Sequence, residues 1–395
     1  MTANADKSFD VAIVGAGPAG SSTAIRLANA GLSVLLAEQK KFPREKLCGE
    51  FISPECLTHF DELGVLHDIS AAGGVDLRET VFYSRSGNSA SIKSEWFGQN
   101  GSLALGLSRA EMDERLLRRA REAGVSVCEE TTAAGLAMES DRVTGIRIKH
   151  KDGSESAVTA KITIDATGRT QSLARRFEKN TGQRNRASHV AFKAHLRGAG
   201  TAAATCEIFA YRGGYGGCNR IENGLYNLCF IASSEDTRLR GSDAERVMRE
   251  VVFTNKRAAE TLKNAELASE WLAVPIERFG RGELVPAAGL LTVGDASAFV
   301  DPFTGSGILL ALESAKIAAD AITKNMIRSA DFNILAAEYR RNYAAVFDMR
   351  LRVCAMLRHA AFVPVLADAA VSLLNLSGGL RRRIARATRF HPRQA

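Results

Sequence analysis

A short apolar segment that runs directly into a glycine-rich turn constrains this chain more than any other feature. Residues 9–14 have the apolar character of a β-strand, and residues 15–20 read Gly-Ala-Gly-Pro-Ala-Gly. A helix is predicted from Pro18 to about residue 30, because proline suits the first helical turn and a glycine follows as a stop signal. A second apolar segment then ends at Glu38. The order strand, glycine turn, helix, strand and acid predicts a βαβ unit that binds a dinucleotide.

Each part of this unit has an expected role in holding the dinucleotide. The glycines allow a tight turn, a close approach of the backbone to a pyrophosphate and close packing of helix on strand, while the helix N-terminus offers free N–H groups. The Glu38 carboxylate would accept the ribose hydroxyls and repel a 2′-phosphate, which disfavours NADP here. The motif alone leaves NAD and FAD open. The expected contacts are Gly15, Gly17, Pro18, Ala19, Gly20, Glu38 and Gln39.

Composition and motif content exclude several other classes of protein. With 395 residues, 46% of them apolar and 24% charged, the chain is neither disordered nor collagenous and suggests two or three folding units. Seven cysteines without C-x-x-C spacing indicate reduced thiols, so we expect no metal site. The sequence has neither a P-loop nor a G-x-S-x-G nucleophile elbow, which excludes the kinase and hydrolase interpretations.

Two later strand-like segments each end in a motif that contains an aspartate. Residues 162–164 lead into Asp-Ala-Thr-Gly at 165–168, and residues 290–293 lead into Gly-Asp at 294–295. A glycine-containing stretch at 299–308 follows the second motif. In this order after the first turn, these motifs resemble those of the flavoprotein hydroxylase and reductase superfamily, which has the p-hydroxybenzoate hydroxylase fold.

This resemblance implies that the cofactor is FAD, and it adds residues to the site. Gly305 and Gly307 would let the backbone pass close to a planar ring, and the helix that starts near Gly307 would direct its positive end towards it. Ser108 and Glu111 form a capping box, and Arg109 matches an arginine that lies beside FAD in the superfamily. The implied further FAD contacts are Arg109, Asp165, Gly168, Gly294, Asp295, Pro302, Gly305, Ser306, Gly307 and Ile308.

The stretch from Phe42 to Glu50 narrows the resemblance to one branch. It reads Phe-Pro-Arg-Glu-Lys-Leu-Cys-Gly-Glu, which resembles the F-P-R-x-K-x-C-G stretch of geranylgeranyl reductase-like proteins. In that branch the lysine and the Cys-Gly pair pass next to the isoalloxazine. The resemblance therefore implies that Lys46, Cys48 and Gly49 contact FAD, with Lys46 and Cys48 as candidate catalytic residues. A chemical role for Cys48 and a place in the pocket wall both stay open.

A substrate domain is expected at residues 186–275, where strand-like segments interrupt the FAD domain. In residues 189–196 apolar side chains share one face, while His189, Lys193 and His195 share the other. His195 is therefore a candidate catalytic residue, and a surface position is the alternative. The side chains expected to wall the pocket are Phe209, Tyr211, Tyr226, Leu228 and Phe230.

One part of this domain departs from the pattern of prenyl reductases. Where those proteins carry Y-x-W-x-F-P, residues 213–219 read Gly-Gly-Tyr-Gly-Gly-Cys-Asn. The absence of the tryptophan and of Phe-Pro argues against a long isoprenoid substrate. Tyr215 is the candidate catalytic residue of this segment.

These observations predict an α/β (α+β) fold. A Rossmann-like FAD-binding domain is interrupted by an antiparallel β-sheet substrate domain and followed by a helical C-terminal tail. The expected FAD-binding parts are 1–80, 103–185 and 276–330, the substrate-domain strands lie at 81–102 and 186–275, and the helical region spans 331–395.

The implied activity is FAD-dependent hydride transfer to a carbon–carbon double bond of a hydrophobic small molecule. One alternative is an FAD-dependent monooxygenase that acts on an aromatic or polyketide-like metabolite. Another is a halogenase, whose W-x-W-x-I-P motif residues 271–276 match only loosely. The third alternative is a non-enzymatic partner protein that binds flavin or lipid. Because no second complete dinucleotide motif is present, the candidate electron donors are transiently bound NAD(P)H and a flavin reductase or ferredoxin-like protein.

The C-terminal tail concentrates positive charge. Between residues 349 and 395, nine arginines and one aspartate surround apolar clusters. Peripheral contact with an anionic membrane is one interpretation, and packing of the apolar residues on the FAD domain is the other. The apolar stretch 360–376 is interrupted by Pro364 and Asp368 and is too short to cross a bilayer. The polar first ten residues resemble no export signal, so we expect a cytoplasmic protein without a nucleic-acid partner.

Overall fold

We describe the fold from a computed structural model that covers residues 7–97, 101–177, 187–276, 279–299, 305–328 and 331–387. Its strands are β1 (Lys7–Val14), β2 (Val34–Ala37), β3 (Phe51–Ile52), β4 (Val75–Leu77), β5 (Glu79–Tyr83), β6 (Ser89–Lys93), β7 (Ala104–Gly106), β8 (Ser126–Cys128), β9 (Thr132–Glu139), β10 (Arg142–Lys149), β11 (Glu155–Asp165), β12 (His189–Arg197), β13 (Thr205–Tyr211), β14 (Gly214–Arg220), β15 (Tyr226–Ser233), β16 (Glu266–Leu267), β17 (Leu272–Ile276), β18 (Gly280–Arg281), β19 (Leu290–Thr292) and β20 (Ala298–Phe299). Its helices are α1 (Pro18–Asn29), α2 (Glu55–Glu62), α3 (Leu66–Ser70), α4 (Arg109–Glu122), α5 (Ser234–Leu239), α6 (Ala244–Glu250), α7 (Lys256–Leu262), α8 (Gly307–Ile327), α9 (Phe332–Phe362), α10 (Pro364–Leu376) and α11 (Gly378–Ala387).

The first sheet brings the three cofactor motifs of the sequence to one edge. Its strand order is β8-β2-β1-β11-β10-β9, with β19 beside β11. Strands β1, β2, β8, β11 and β19 are parallel to one another, so their carboxyl ends lie on the same side. The glycine turn after β1, the Asp-Ala-Thr-Gly turn after β11 and the Gly-Asp turn after β19 therefore meet there, as expected for a ligand site of an α/β sheet.

Burial on both faces explains why residues 11–14 of β1 are apolar without interruption. Val11 and Ile13 pack with residues of α1, α4 and α8 in the main core. Ala12 and Val14 face the other way and pack with residues of β9, β10 and β11 in a second cluster. A strand covered on both faces has no position for a polar residue, which accounts for the continuous apolar segment that precedes the glycine turn.

The second sheet belongs to the substrate domain and has the order β16-β12-β15-β14-β13-β5-β6, with β17 beside β12. Its pairs are antiparallel except β13 and β5, which run parallel. Strand β5 begins at Glu79, within the range 1–80 that we assign to the FAD domain. One face of the sheet packs on α6 and α7, and the other faces the FAD domain.

The helical C-terminal region spans both domains. Tyr339, Tyr343 and Phe347 of α9 are buried in the core of the FAD domain. At the other end of α9, Phe362 packs beside Tyr215 of the substrate sheet, with ring centroids 6.0 Å apart. Helices α10 and α11 then pack against β6. The tail therefore packs on the substrate sheet as well as on the FAD domain, and peripheral membrane contact stays a prediction.

None of the helices in the described ranges combines the length and the apolar character that crossing a membrane requires. The predicted architecture is otherwise confirmed: a Rossmann-like domain is interrupted by a largely antiparallel sheet and followed by helices.

Candidate cofactor and substrate cavity

A cavity of about 680 Å³ lies between the two sheets. We call the part formed by the turns of the FAD domain the cofactor half, and the part formed by β5, β13, β14, β15 and α10 the substrate half. Of the residues that the sequence assigns to the site, those that line the cavity are Gly15, Gly17, Pro18, Ala19, Glu38, Gln39, Lys46, Cys48, Gly49, Arg109, Gly168, Tyr215, Gly294, Asp295, Gly305, Gly307 and Ile308. The two halves are thus one continuous space.

The glycine turn leaves room for a phosphate at Gly17. A Cβ placed on Gly20 would lie 1.8 Å from the Gly15 carbonyl oxygen, so Gly20 serves close packing and does not line the cavity. A Cβ on Gly17 would meet only guanidinium nitrogens, at 3.6 Å for Arg109 and 3.9 Å for Arg44. This space between backbone N–H groups and two cations suits a pyrophosphate.

A buried carboxylate holds both guanidinium groups in place. Asp113 accepts hydrogen bonds from Arg109 Nε at 2.8 Å and Nη2 at 2.7 Å, and from Arg44 Nη1 at 3.2 Å. Burial disfavours the charge on Arg109, but Asp113 outweighs that effect and raises the arginine's pKa. Arg44 was absent from the residues assigned by sequence, although it stands in the quoted F-P-R stretch, because only the fold brings it to Asp113.

Glu38 shapes the adenosine end of the cofactor half. Its carboxylate accepts hydrogen bonds from the backbone N–H groups of Ala16 and Lys40, both at 2.9 Å. Glu38 therefore ties the glycine turn to the segment after β2. A carboxylate has about four lone-pair sites, so the acceptor capacity that the ribose hydroxyls would use remains.

The two motif aspartates differ in how their carboxylates are used. Asp165 accepts hydrogen bonds from Thr167 N and Oγ1, Leu173 N and Ala174 N, at 2.6 to 3.0 Å. Its carboxylate therefore organises its own turn and does not line the cavity. Asp295 lines the cavity, and no described group donates a hydrogen bond to it. Asp295 is the free acceptor that a ribityl hydroxyl needs.

Positive charge surrounds Asp295. Burial raises the pKa of Asp295, while Arg169, Arg109 and Lys46 act in the opposite direction. Burial also lowers the pKa of Lys46, and the neighbouring charges of Arg44, Arg109 and Arg169 lower it further. The part of the cavity around Asp295 is lined by three cations, Lys46, Arg109 and Arg169, and this excess of positive charge favours an anionic ligand.

The start of α8 closes the other side of the cofactor half. Gly305 has a φ of +60°, and a Cβ there would lie 3.0 Å from the Phe51 ring. Gly307 and Ile308, at the N-terminus of the helix, line the cavity, whereas Ser306 is buried behind them. The helix therefore presents its positive end to the cavity. Pro302 lies outside the described residues.

The Cys48–Gly49 segment lies where the two halves meet. Asn227 Nδ2 donates to the Cys48 carbonyl oxygen at 3.1 Å, and Asn219 Nδ2 donates to the Glu50 carbonyl oxygen at 3.3 Å. His195 does not line the cavity, because it lies behind Glu50, whose Oε2 accepts from His195 Nε2 at 2.7 Å. The sequence assigned no role to Glu50 or to the two asparagines, and only the quoted motif pointed to Glu50.

The substrate half has largely apolar walls. They come from alternate positions of neighbouring strands and from one face of α10: Phe82, Cys206, Ile208, Ala210, Tyr215, Gly217, Ile231, Val371 and Leu374. Burial raises the pKa of Cys206 to about 12, which leaves this thiol uncharged. The half is therefore suited to a hydrophobic ligand.

The expected aromatic wall was wrong for most of its members. Phe209, Tyr211 and Leu228 belong to the core behind the sheet, together with residues of α6 and α7, whereas Phe230 packs in that core and is also part of the cavity lining. Because successive residues of a strand point to opposite faces, the cavity receives their neighbours instead. Tyr226 also packs against that core.

Helix α10 is tied to the edge of the substrate sheet by polar contacts. Asp368 accepts a hydrogen bond from Ser86 Oγ at 2.5 Å, and Asn375 Nδ2 donates to the Ser89 carbonyl oxygen at 2.7 Å. Arg381 of α11 donates to the Ser91 carbonyl oxygen at 3.1 Å. These contacts hold Val371 and Leu374 in the cavity wall.

Comparison with known proteins agrees with this geometry. Residues 8–346 match the family model described as FAD binding domain. The chain is 30% identical over 320 residues to digeranylgeranylglycerophospholipid reductase of Methanosarcina acetivorans, covering 79% of this chain and 74% of that protein. It is 26% identical to menaquinone reductase of Mycobacterium tuberculosis, covering 91% and 86%. The structure of the flavin-dependent brominase Bmp2 superposes with a TM-score of 0.80 at 23% identity, covering 98% and 95%.

Proposed function

Because this chain belongs to the FAD binding domain family and is an FAD-dependent oxidoreductase, we propose that it is a reductase of the geranylgeranyl reductase type. Its substrate is a hydrophobic molecule with a carbon–carbon double bond. The observation that carries the proposal is the continuity of the charged cofactor half with an apolar substrate half that α10 covers.

The residues of the cofactor half fit FAD. Gly17 leaves space beside two guanidinium groups, Asp295 offers an unused acceptor, and α8 directs its N-terminus at the cavity. Bound FAD supplies the hydride when reduced. The chain itself binds the pyrophosphate through Arg44 and Arg109, orients the cofactor, and excludes water from the space above it.

The names of two similar proteins support the substrate class. The names digeranylgeranylglycerophospholipid reductase and menaquinone reductase both refer to hydrophobic substrates. The walls of the substrate half offer mainly apolar contacts and two tyrosines, Tyr83 and Tyr215. Burial of apolar surface is therefore the main interaction available to a ligand in this half.

The glycines of β14 leave space in the substrate half for a broad ligand. A Cβ on Gly214 would lie 2.0 Å from the Ile231 carbonyl oxygen, so this glycine permits close pairing with β15. Gly217 faces the cavity, where a Cβ would lie 2.9 Å from Ile208 Cδ1. The strand thus places one large side chain, Tyr215, in the cavity where prenyl reductases carry a bulkier motif. We infer a substrate wider than a single extended isoprenoid chain.

Anaerobic turnover tests the proposal. The FAD-loaded protein is reduced with dithionite without oxygen and mixed with menaquinone or with a geranylgeranyl lipid as probes. Reoxidation of the flavin together with a product two mass units heavier supports the reductase. Absence of any reoxidation by either probe contradicts it, provided that dithionite reduces the flavin fully.

A monooxygenase is the second candidate, because the fold and the aromatic Tyr215 and Phe82 in the substrate half also suit an aromatic substrate. The superposition on the brominase concerns the fold alone. Turnover under ¹⁸O₂ separates the two candidates. Incorporation of the label into an aromatic probe, without anaerobic turnover of the alkenes, favours the monooxygenase.

A further inference from the structure

A cluster of charged side chains lies at the boundary between the two domains, where two of its members belong to the cavity lining and two lie behind them. We call it the Glu50 cluster; its members are Glu45, Glu50, Lys193 and His195. Glu50 Oε1 accepts from Lys193 Nζ at 2.6 Å, and Glu50 Oε2 accepts from His195 Nε2 at 2.7 Å. Lys193 also donates to Glu45 at 2.5 Å. Glu50, Lys193 and His195 are buried, whereas the Glu45 side chain is 44% exposed.

Stability alone does not explain such a cluster. Removing charged groups from water is costly, and a buried ion pair is often no more stabilising than apolar residues of the same volume. The same sheet carries another buried carboxylate on its opposite face: Glu207 pairs with Arg257 and accepts from Thr261 at 2.7 Å. Within the described ranges that pair contacts no residue of the cofactor half, so the two carboxylates have similar burial but different surroundings.

Glu50 is connected to two parts of the cofactor half. Its Oε1 also accepts from the backbone N–H of Arg109 at 2.9 Å, at the start of α4. Its own backbone N–H donates to Cys48 Sγ at 3.4 Å. Glu50 has a φ of +50°, a conformation that a residue with a side chain rarely adopts. A strained backbone that several partners hold in place is typical of a functional site.

The cluster joins residues that are far apart in the sequence. Lys193 and His195 lie on β12 of the substrate sheet, with their side chains on the face towards the FAD domain. Glu50 lies between this strand and the segment Cys48–Gly49, which lines the cavity. One carboxylate therefore fixes the substrate sheet, the start of α4 and the Cys48–Gly49 segment relative to one another.

Two other interpretations of the cluster fit less well. Donor atoms of Glu45, Glu50 and His195 lie close enough together to hold a metal ion, but Lys193 Nζ already lies within 2.6 Å of both carboxylates and supplies the cation. A proton donor needs a pKa near the working pH. Burial raises the pKa of Glu50, but His195 and Lys193 hold it below its usual range; burial lowers the pKa of Lys193, but Glu50 and Glu45 hold it above.

We propose that Glu50, held by Lys193 and His195, is a positioning residue. These three charged side chains stay fixed and hold the Cys48–Gly49 segment and Arg109 in place against the bound flavin. The three side chains act through the backbone that they hold, at the start of α4 and in the Cys48–Gly49 segment. This inference rests on the binding of FAD and is independent of the identity of the substrate.

The test compares two FAD-loaded variants that each lose one buried negative charge. Glu50→Gln removes the carboxylate of the cluster, and Glu207→Gln removes the matched carboxylate on the other face of the sheet. The readouts are the visible circular dichroism of the bound flavin, its midpoint potential, and the Kd for FAD. The first two are measured at saturating FAD on folded protein, so a loss of stability by itself does not change them.

We expect Glu50→Gln to shift the flavin bands and the midpoint potential and to raise the Kd for FAD by about tenfold or more, as for other residues that orient a ligand-binding group. Glu207→Gln lowers the melting temperature and leaves all three flavin readouts at their wild-type values. Unchanged flavin bands and potential in Glu50→Gln, or equal shifts in both variants, overturn the proposal.

If Glu50→Gln does not fold, a milder variant tests the positioning role. His195→Gln keeps a donor near Glu50 Oε2 and leaves the pair of Lys193 and Glu50 intact. A smaller shift of the flavin bands in the same direction supports the positioning role. Wild-type bands and potential in a folded His195→Gln protein that does bind FAD overturn it.

Discussion

The cofactor half of the cavity is built mainly from backbone turns, whereas the substrate half is built from side chains that project from strands. In the first, five glycines let main chain and helix ends line the cavity: Gly15, Gly17, Gly294, Gly305 and Gly307. In the second, alternate residues of four strands supply the walls, and α10 adds Val371 and Leu374. A cofactor site built on backbone turns and a few charged side chains can persist across a family, while the substrate is selected by side chains that can change without altering the fold.

Gly17→Val gives the largest expected effect and tests whether backbone space is what the cofactor half needs. The new side chain enters the space beside Arg44 and Arg109, where overpacking costs about 3 kcal/mol or more, which is over 100-fold in the Kd for FAD. Purified protein should be colourless. Gly378→Val is the control, because an added Cβ there meets nothing within 4 Å. Full FAD occupancy in Gly17→Val would refute the assignment of the turn.

The two motif aspartates should separate structural from ligand-binding roles within the cofactor half. Asp165→Ala leaves buried N–H groups without an acceptor and should lower the free energy of unfolding by about 3 kcal/mol in FAD-free protein. Asp295→Ala removes an acceptor from the cavity and should weaken FAD binding by about 1–3 kcal/mol, with little change in FAD-free stability. Thermal melts with and without FAD, together with FAD titrations, measure both effects. The reverse pattern would show that the roles are exchanged.

Leu374→Trp tests whether α10 is part of the substrate half. The larger ring should fill the cavity and reduce anaerobic turnover of the lipid or quinone probe by about tenfold, equivalent to 1.4 kcal/mol, while FAD stays bound. Leu373→Trp is the matched control, because the adjacent side chain is 47% exposed and should tolerate the ring. Equal turnover in the two variants would remove α10 from the substrate half.

The smallest expected effect is on the pH dependence of the free energy of unfolding, to which Glu50 contributes at the boundary between the two halves. The folded-state pKa of Glu50 is lowered, so its stabilising contribution is present above the unfolded value near 4.5 and is lost as the pH falls through the folded pKa. The difference in the free energy of unfolding between wild type and Glu50→Gln should therefore become smaller below about pH 4.5. The total decrease is about 1.4 kcal/mol for each unit by which folding lowers the pKa of Glu50. Urea unfolding at pH 7 and at pH 3.5 measures this. A difference that is the same at both pH values would contradict the charged state of Glu50.

The amino-acid sequence by itself determined the turns of the cofactor half, because each of those motifs is local, whereas only the fold brought Arg44 to Asp113. Gly15 to Gly20 and Gly294 with Asp295 act within a few residues of a strand end, and the rule that parallel strands end on one side brings them together. The Rossmann-like domain was predictable on this basis, whereas the choice of FAD came from the resemblance to the flavoprotein superfamily.

Only the tertiary structure decided the substrate half and the Glu50 cluster. Glu50 lies 145 residues from His195, and Leu374 faces a cavity formed by strands far earlier in the chain. Which face of β13 and β15 meets the cavity depends on register and on what packs behind the sheet, and a shift of one residue exchanges the faces. Both faces of these strands are apolar. Phe209 and Phe230 pack in the core behind the sheet, and Ile208 and Ile231 line the cavity. A local pattern therefore could not tell core from cavity, and only the packing of α6 and α7 on one side and the FAD domain on the other settled it.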